Sequence, residues 1–398
     1  MLGYQELLFL STPQGEKLLA DAALAEGELL TRITHLRKSY PADQVSAAIE
    51  LDSLRKRAKS KFVHGDRMFF TPHGLEQSSG DRIASWRANR FPKGTRFVDI
   101  CCGNGGDATA LAQQGRVIAL DLDPAAALCA HLNARVHGLD SCVSVACCDA
   151  TRLRMKNLSR VDAVFFDPSR RKGGRRVSAG EEYSPPLDFV LDVLKYVPNL
   201  CVKVSPALDD DTLAGMQNSG ARIEFVSDQK ECKEALLWFG EFGPDSSRSA
   251  SLVSENVSLA ANPEIQDALV CEPLKWLYEP DPAVIRAHLI SEVANLLEAS
   301  RLDEQIAYLT SESPASSPFS TAYRILEWMP FNLKRVQKRL RDMGRTVYAI
   351  KRRGVPLDPI QLQRQLTGAG DQEAVVVLTR VNGTPAAIIC ERPISQSL

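Results

Sequence analysis

An apolar strand that ends in an acid and runs into a glycine turn most constrains the fold of this 398-residue chain. It spans residues 97–107 and reads Phe-Val-Asp-Ile-Cys-Cys-Gly-Asn-Gly-Gly-Asp. Three further strand-like runs end in acids at Asp121, Asp149 and Asp167. Helical stretches separate the runs, which predicts a mostly parallel sheet covered on both faces. Because the carboxyl ends of parallel strands meet at one edge, we expect these acids to line one site.

The glycine turn alone fits more than one nucleotide-binding motif. Gly103–Ala108 matches the G-x-G-x-x-A pattern of dinucleotide folds, in which Asp121 would bond the ribose of NAD. The acid Asp99 argues against that interpretation, because it would repel a doubly negative pyrophosphate. S-adenosylmethionine has the opposite charge, with cationic sulfonium and ammonium groups and no phosphate. In this hypothesis Asp99 pairs with the ammonium, Asp121 accepts from the ribose hydroxyls, and Asp149 accepts from the adenine amine.

Residues 95–240 resemble the class I S-adenosylmethionine-dependent methyltransferases, with Cys101 in place of the first glycine of their motif. The chain most closely resembles a bacterial family of these enzymes with a C-terminal THUMP-like domain. The matching segments are residues 68–77, 99–107, 166–171, 277–282, 306–310 and 349–354. The resemblance implies an α/β fold: a Rossmann-like class I methyltransferase sheet with an N-terminal helical region and a C-terminal α+β THUMP-like module. It also implies that S-adenosylmethionine is held by Asp99, Cys101, Gly103, Gly105, Asp107, Asp121, Leu122, Asp149, Ala150 and Asp167.

Periodicity and the resemblance together divide the chain into predicted domains. Apolar residues at helical spacing predict the N-terminal helices. The predicted domains are an N-terminal helical region over 1–90, an S-adenosylmethionine-binding domain over 91–245, a ferredoxin-like α+β segment over 257–318, and a basic THUMP-like α+β module over 319–398.

Local patterns add four predictions about connecting segments. The Ser-rich stretch 241–256 predicts a linker. Asp281-Pro282 is a helix N-cap and first-turn pair, and the apolar stripe that follows at four-residue spacing over 285–297 predicts helix. Asn-Gly between apolar runs predicts a hairpin turn at 381–383. The basic run 55–61 is either a solvated helix face or a phosphate-contacting patch.

Asp167-Pro168-Ser169 is the predicted reactive corner. Methyltransferases that act on exocyclic amines often place Asp/Asn-Pro-Pro-aromatic at the end of this strand. A carboxylate and a backbone carbonyl that accept the amine hydrogens favour the pyramidal nitrogen needed for attack. Ser169 departs from that pattern, and no aromatic residue follows it. Stacking of the base would then come from elsewhere, with Phe69, Phe70 and Tyr183 as candidates.

Basic residues concentrate in two places, which predicts an anionic polymer as partner. Residues 321–398 hold thirteen Lys and Arg against six Asp and Glu, whereas the whole chain has a net charge of −1. A second group follows the reactive corner, with a Gly-Gly pair at 173–174 that suggests a closing loop. Such side chains position nucleic acid through its phosphates. The predicted substrate- or RNA-binding residues are Arg170, Arg171, Lys172, Arg175, Lys334, Lys338, Lys351, Arg352 and Arg353.

Weaker candidates carry an ordinary structural interpretation as well. Lys203 ends the fifth strand and is either a strand-end residue or a substrate contact. Cys232 is more typical of a structural thiol than of a nucleophile. His131 and His137 lack a third ligand at metal-like spacing, so we expect no metal. Residues 71–77 are a candidate lid over the cofactor site.

Composition narrows the class of protein. The ten cysteines form no CxxC pair, which argues against a zinc ribbon and favours a reducing, cytoplasmic location. No apolar run approaches the roughly 18 residues of a membrane helix. The leading hypothesis is a methyltransferase of structured RNA, tRNA or rRNA. The alternatives are a methyltransferase of DNA, protein or a small molecule, and a non-catalytic RNA-binding protein that keeps the cofactor fold.

Overall fold

A computed structural model describes residues 2–393 apart from 170, 173–174, 177–182, 357–361, 363–364 and 367–369. For residues 171, 172, 175 and 176 it describes the backbone alone. The chain forms two compact units. One comprises Met1–Glu224 and Glu234–Asp245, and the other comprises Phe225–Lys233 and Ser246–Leu398.

The first unit opens with helices, as the sequence predicts. Their ranges are α1 Tyr4–Leu10, α2 Pro13–Leu24, α3 Leu29–Leu36, α4 Ala42–Ala58, α5 Pro72–Gln77 and α6 Asp81–Ala88. Thr12 and Thr71 cap α2 and α5 with their side-chain oxygens, and a proline follows each cap. The apolar faces of α1 to α5 form one core, which includes Leu7, Leu18 and Leu51.

The basic run 55–61 holds neighbouring backbone in place. Arg55 donates from Nε to the Met68 carbonyl at 2.9 Å, and its guanidinium lies 5.0 Å from the centre of the Phe69 ring. Lys61 Nζ donates to the carbonyls of Leu75 and Ser78 at 3.0 and 2.7 Å. These contacts fix the segment that contains α5, so both of these cations have a structural role.

The sheet of the first unit is mostly parallel. Its elements are β1 Thr95–Ile100, α7 Gly106–Leu111, β2 Gly115–Asp121, α8 Pro124–Val136, β3 Val143–Cys147, β4 Ala163–Phe166, β5 Arg171–Lys172, β6 Arg175–Arg176, α9 Phe189–Leu194, β7 Leu200–Val204 and α10 Asp210–Asn218. Two more strands belong only in part to this unit: β8 Arg222–Asp228 leaves it at Phe225, and β9 Glu231–Phe239 re-enters it at Glu234. The order within this unit is β9-β7-β4-β1-β2-β3, and β9 runs antiparallel to β7.

Strand β1 is the point from which the sheet grows in both directions. It pairs in parallel with β2 on one side and with β4 on the other. The chain therefore winds outward from β1 to β3 and then returns to start again at β4. Open α/β sheets bind ligands at such a switch point, outside the carboxyl ends of the strands. The predicted α/β sheet is confirmed.

The second unit is α+β. Its elements are β10 Arg248–Leu252, β11 Val257–Ala260, β12 Trp276–Pro280, α11 Pro282–Arg286, α12 Ile290–Leu297, β13 Ser300–Asp303, β14 Ile306–Ser311, β15 Ser320–Pro330, α13 Leu333–Asp342, β16 Arg345–Arg352, β17 Gln372–Val381 and β18 Thr384–Glu391. In its described part, strands β12 to β18 form a sheet in the order β13-β14-β12-β15-β18-β17-β16.

One local prediction in the second unit is wrong. The expected linker over 241–256 contains β10, which pairs with β11 because its small residues are buried and Ser251 hydrogen-bonds Ser258 at 2.7 Å. The predicted helical stripe over 285–297 is divided between two helices, because His288 has a φ of +60° and ends the first. The predicted hairpin is confirmed: β17 and β18 join through Asn382 and Gly383, both at positive φ.

No helix in the described part of the chain is long and apolar enough to span a bilayer.

Candidate active site

A cavity of about 550 Å³ opens at the carboxyl ends of β1, β2, β3 and β4. This volume lies within the range of small-molecule and cofactor sites. Helix α5 and the segment around it form another part of the wall, through residues such as Thr71, Gly74 and Ser78. The predicted site residues that line the cavity are Cys101, Gly103, Asp107, Asp121, Leu122, Asp149, Ala150, Asp167, Pro168 and Ser169.

Asp121 fixes the glycine turn to the end of β2. Its Oδ2 accepts from the Gly103 backbone N–H at 2.8 Å, and its Oδ1 accepts from that of Asp123 at 2.9 Å. Burial raises the pKa of this carboxyl above its ordinary value. Each carboxylate oxygen keeps a further lone pair for a hydroxyl donor in the cavity. Leu122 follows with 68% of its surface exposed and offers an apolar contact for a ring.

Cys101 adopts the conformation that the missing glycine would have supplied. Its φ is +64°, in the left-handed region that costs a residue with a Cβ roughly 1–2 kcal/mol. The backbone path of the turn is therefore kept despite the substitution.

Asp99 is buried without a partner. It is 0% exposed, and neither carboxylate oxygen accepts a hydrogen bond from any described residue. Burial, followed by the negative charges of Asp107, Asp167 and Asp121, raises its pKa well above the ordinary value. It lies two residues before the cavity-lining Cys101, and it does not itself line the cavity. An unpaired buried carboxylate is costly, and a cationic group bound in the neighbouring cavity would reduce that cost.

Asn104 is a second polar side chain without a partner, and sequence analysis missed it. Its amide is buried, lines the cavity, and makes no hydrogen bond with any described residue. Gly74 on α5 covers it so closely that a Cβ there would lie 2.4 Å from the amide. Asn133 of α8 joins the two walls, since its Nδ2 donates to the carbonyls of both Phe69 and Asn104 at 2.9 Å.

Arg87 of α6 is a buried cation beside the cavity, and sequence analysis missed it too. Its guanidinium is 1% exposed, donates to Asp107 and to Glu234, and lies 4.8 Å from the centre of the Phe165 ring. The two carboxylates raise its pKa despite its burial. Asp107, predicted to bind the cofactor, thus lines the cavity as one half of an ion pair.

Two other predicted cofactor residues are engaged within the chain. Asp149 Oδ1 accepts from the backbone N–H and the hydroxyl of Thr151 at 3.0 and 2.7 Å, which lowers its pKa. Asp149 lines the cavity, and its contact with an adenine amine stays a prediction. Gly105 does not line it: with a φ of +79° it begins α7, and a Cβ there would lie 2.9 Å from the Ala130 Cα.

The reactive corner lies at the end of β4. Lys203, from the end of β7, donates to the Asp167 carboxylate, and the lysine side chain is 3% exposed. Ser169 exchanges backbone hydrogen bonds with Ser184 at 3.0 and 3.1 Å, which brings Ser184, Pro185 and Pro186 to the cavity wall.

The aromatic residues considered for base stacking are not in the cavity. Phe69 and Phe70 are buried in the core of the N-terminal helices. Tyr183 is 3% exposed, and its hydroxyl accepts from the Ser205 backbone N–H at 2.9 Å. No Phe, Tyr or Trp belongs to the described cavity wall. The expectation of stacking from these residues is therefore wrong.

The predicted basic residues have different surroundings. Arg170 lies outside the described residues, and Arg171, Lys172 and Arg175 are described by the backbone of β5 and β6 alone. Lys334 and Lys338 are exposed on α13. Lys351 donates to Glu279 at 2.5 Å, and Arg353 stacks on Tyr308 with its guanidinium carbon 5.3 Å from the ring centre. Arg352 is exposed at the end of β16.

The cavity residues fit S-adenosylmethionine. The spare lone pairs of Asp121 suit the ribose hydroxyls, whereas Asp99 lies behind the cavity wall and its pairing with the ammonium stays a prediction. Leu122 suits contact with the adenine ring. Among the described residues, no three His, Cys, Asp or Glu side chains are arranged to hold a metal ion.

Family models match three parts of the chain. Residues 94–192 match the RNA cap guanine-N2 methyltransferase family. Residues 320–392 match the THUMP domain-like family, and residues 4–58 match a domain of unknown function. The first two matches cover the cavity and the basic module respectively.

Similar proteins cover nearly the whole chain. An uncharacterized S-adenosylmethionine-dependent methyltransferase of Mycobacterium tuberculosis, known from strains H37Rv and CDC 1551, is 28% identical over 346 residues. The alignment covers 85% of this chain and 94% of the relative. A solved structure described as a methyltransferase, from Porphyromonas gingivalis W83, has a TM-score of 0.76 at 22% identity. It covers 95% of this chain and 98% of its own, which shows a common fold.

These findings confirm the predicted class of enzyme and its cofactor. The chain is an S-adenosylmethionine-dependent methyltransferase with a C-terminal THUMP-like domain.

Proposed function

We propose that the protein methylates a base of structured RNA, tRNA or rRNA, with an exocyclic amine as the acceptor. The observation that carries the proposal is the position of Asp167, Pro168 and Ser169 on the wall of the same cavity as Asp121. An acceptor held by this corner would lie beside the methyl donor.

The corner is suited to an amine. The lone pair of an aryl amine is delocalised into its ring, so the nitrogen is a weak nucleophile in its planar form. The Asp167 carboxylate and the Pro168 carbonyl are acceptors for its two hydrogens and favour the pyramidal form. Asp167 and Pro168 would hold the nitrogen with its lone pair free to bond the methyl carbon, the sulfur of the donor would keep the electron pair of the broken carbon–sulfur bond, and the proton released by the nitrogen would pass to water. S-adenosylmethionine supplies the electrophilic methyl group.

Similarity favours the same acceptor chemistry. The family matched by residues 94–192 carries the description RNA cap guanine-N2 methyltransferase, and guanine N2 is an exocyclic amine. The THUMP-like match over 320–392 favours RNA as the polymer.

Charge on α13 supports a nucleic acid partner. Lys334, Arg335, Lys338 and Arg341 are exposed, and none forms an ion pair with a carboxylate in the described part of the chain. Positions 334, 338 and 341 recur at helical spacing, so they share a face. Val336 and Leu340 pack the opposite side of the helix into the core. Free cations in a row are typical of phosphate contacts, whereas Lys351 is paired with Glu279.

The proposed location is the cytoplasm. All ten cysteines are free thiols, as expected for a protein of a reducing compartment.

Nucleoside mass spectrometry of total RNA tests the substrate. A strain that lacks the gene should lose one methylated base nucleoside from tRNA or rRNA, and the wild-type gene should restore it. A gene with Asp167→Ala should not restore it. An unchanged set of methylated nucleosides would contradict the proposal.

A further inference from the structure

Lys203 is a buried cation whose charge lies beside the reactive corner. It is 2% exposed, and its ammonium is paired with Asp167, the only ion-pair partner it has among the described residues. The Asp167 carboxylate is 23% exposed and lines the cavity. The lysine therefore acts on the cavity through Asp167.

The strand context shows how unusual this charge is. Strand β7 reads Leu-Cys-Val-Lys-Val, and every residue in it is buried. A hydrocarbon side chain at this position would avoid the desolvation of an ammonium, which a single partner offsets incompletely. The packing of the strand thus gives no reason for a lysine, whereas the charge of Asp167 does.

The other acids of the site are balanced differently. Asp107 is paired with Arg87, and Asp121 is held by backbone N–H groups. Asp99 has no partner. Because Lys203 is paired with Asp167, the carboxylate of the reactive corner adds no net charge to the cavity.

We propose that Lys203 is a positioning residue: it holds the Asp167 carboxylate in a fixed orientation toward the acceptor, and it cancels the charge of that carboxylate within the cavity. The first part rests on the proposed function, because it needs an acceptor at Asp167. The second part concerns the cofactor alone. Without Lys203, Asp167 would attract the cationic S-adenosylmethionine more strongly than its neutral product S-adenosylhomocysteine. The lysine therefore keeps the affinities for substrate and product cofactor close together.

Isothermal titration with each of these two ligands tests the second part without any acceptor. Lys203→Met should raise the affinity for S-adenosylmethionine relative to S-adenosylhomocysteine several-fold, because it leaves the charge of Asp167 uncompensated beside the cationic ligand. Asp167→Asn, which leaves the ammonium, should lower the ratio by a similar factor. The double variant, which removes both charges, should return to the wild-type ratio.

Lys195→Met is the matched control. Lys195 is paired with Asp192, but both side chains are more than half exposed and neither lines the cavity. The Lys195→Met variant should bind S-adenosylmethionine and S-adenosylhomocysteine with the same ratio of affinities as the wild type. If Lys203 only stabilised the fold, Lys203→Met would melt at a lower temperature but bind the two ligands with the wild-type ratio of affinities. That result would overturn the proposal. If Lys203→Met does not fold, Asp167→Asn and the double variant give the same comparison. Because no RNA is present, a failed RNA assay and a failed ratio remain separate results.

Discussion

Arg87→Met should destabilise the first unit far more than the loss of an ordinary ion pair. The substitution keeps much of the side-chain volume but removes the cation that Asp107 and Glu234 share. Those carboxylates are 11% and 3% exposed, so water does not replace the guanidinium. Breaking a buried pair by removing one partner costs about 3–5 kcal/mol, because a charge is left uncompensated.

This magnitude converts into a large change in melting temperature. In a unit of this size, 1 kcal/mol shifts the midpoint by roughly 2–4 °C, so the variant should melt about 6–20 °C below the wild type.

Thermal unfolding of Arg87→Met beside Arg96→Met measures the effect. Arg96 pairs with Asp162 at 2.7 Å, but the two side chains are 58% and 39% exposed. Loss of such an exposed pair has little effect on stability, because water and salt screen it. Melting temperatures within about 4 °C of each other would refute the argument that Arg87 neutralises two buried acids.

Three further predictions address single features. Asp99→Asn should make the ligand-free protein more stable than the wild type at neutral pH. Burial raises the pKa of Asp99, so the contribution of this side chain to the stability of the wild type is complete below about pH 4 and is lost as pH rises. An equal difference in unfolding free energy between variant and wild type at pH 4 and at pH 7 would contradict this. Gly105→Ala should lower the free energy of unfolding by about 2–5 kcal/mol, because its backbone has a positive φ and the new Cβ would collide with Ala130. Gly103→Ala should lower it by about 1 kcal/mol, because φ is also positive but no atom lies within 4 Å of the new Cβ. Equal losses of unfolding free energy would refute the steric argument. Replacing Lys334 and Lys338 by Gln should reduce the slope of log RNA affinity against log salt by roughly 1.4–1.8, and a slope equal to that of Lys195→Gln would exclude these lysines as phosphate contacts.

The sequence was most informative where chemistry follows from local order. A strand, the acid at its end and the turn that follows lie within about ten residues of one another. The carboxyl ends of parallel strands meet at one edge, so Asp121, Asp149 and Asp167 could be assigned to one sheet edge. The hairpin at Asn382-Gly383 was predictable for the same reason, because that dipeptide favours the positive φ angles of a tight turn.

Partners distant in the sequence could not be predicted. Arg87 and Glu234 are separated by 147 positions, and Lys203 and Asp167 by 36. Nothing near Arg87 distinguishes a buried arginine from a surface one. Asn104 was missed because its significance depends on Gly74, which packs over it from another element.

The incorrect predictions relied on local composition and spacing, which do not show strand pairing, backbone conformation or packing. A Ser-rich stretch is typical of a linker, but residues 248–252 are buried because small side chains fit between paired strands. An apolar stripe predicts helix, but it does not show the left-handed backbone at His288. Phe69 and Phe70 follow a helical region, and their burial in its core removed them from the cavity.

Transfer of an isotope-labelled methyl group from S-adenosylmethionine to RNA tests the central claim most directly. The RNA would be purified from a strain that lacks the gene, so that the acceptor base is unmodified. We expect label that ribonuclease releases and proteinase does not, with wild-type protein and not with Asp167→Ala. Label in protein, or no label in RNA while the cofactor binds, would contradict it.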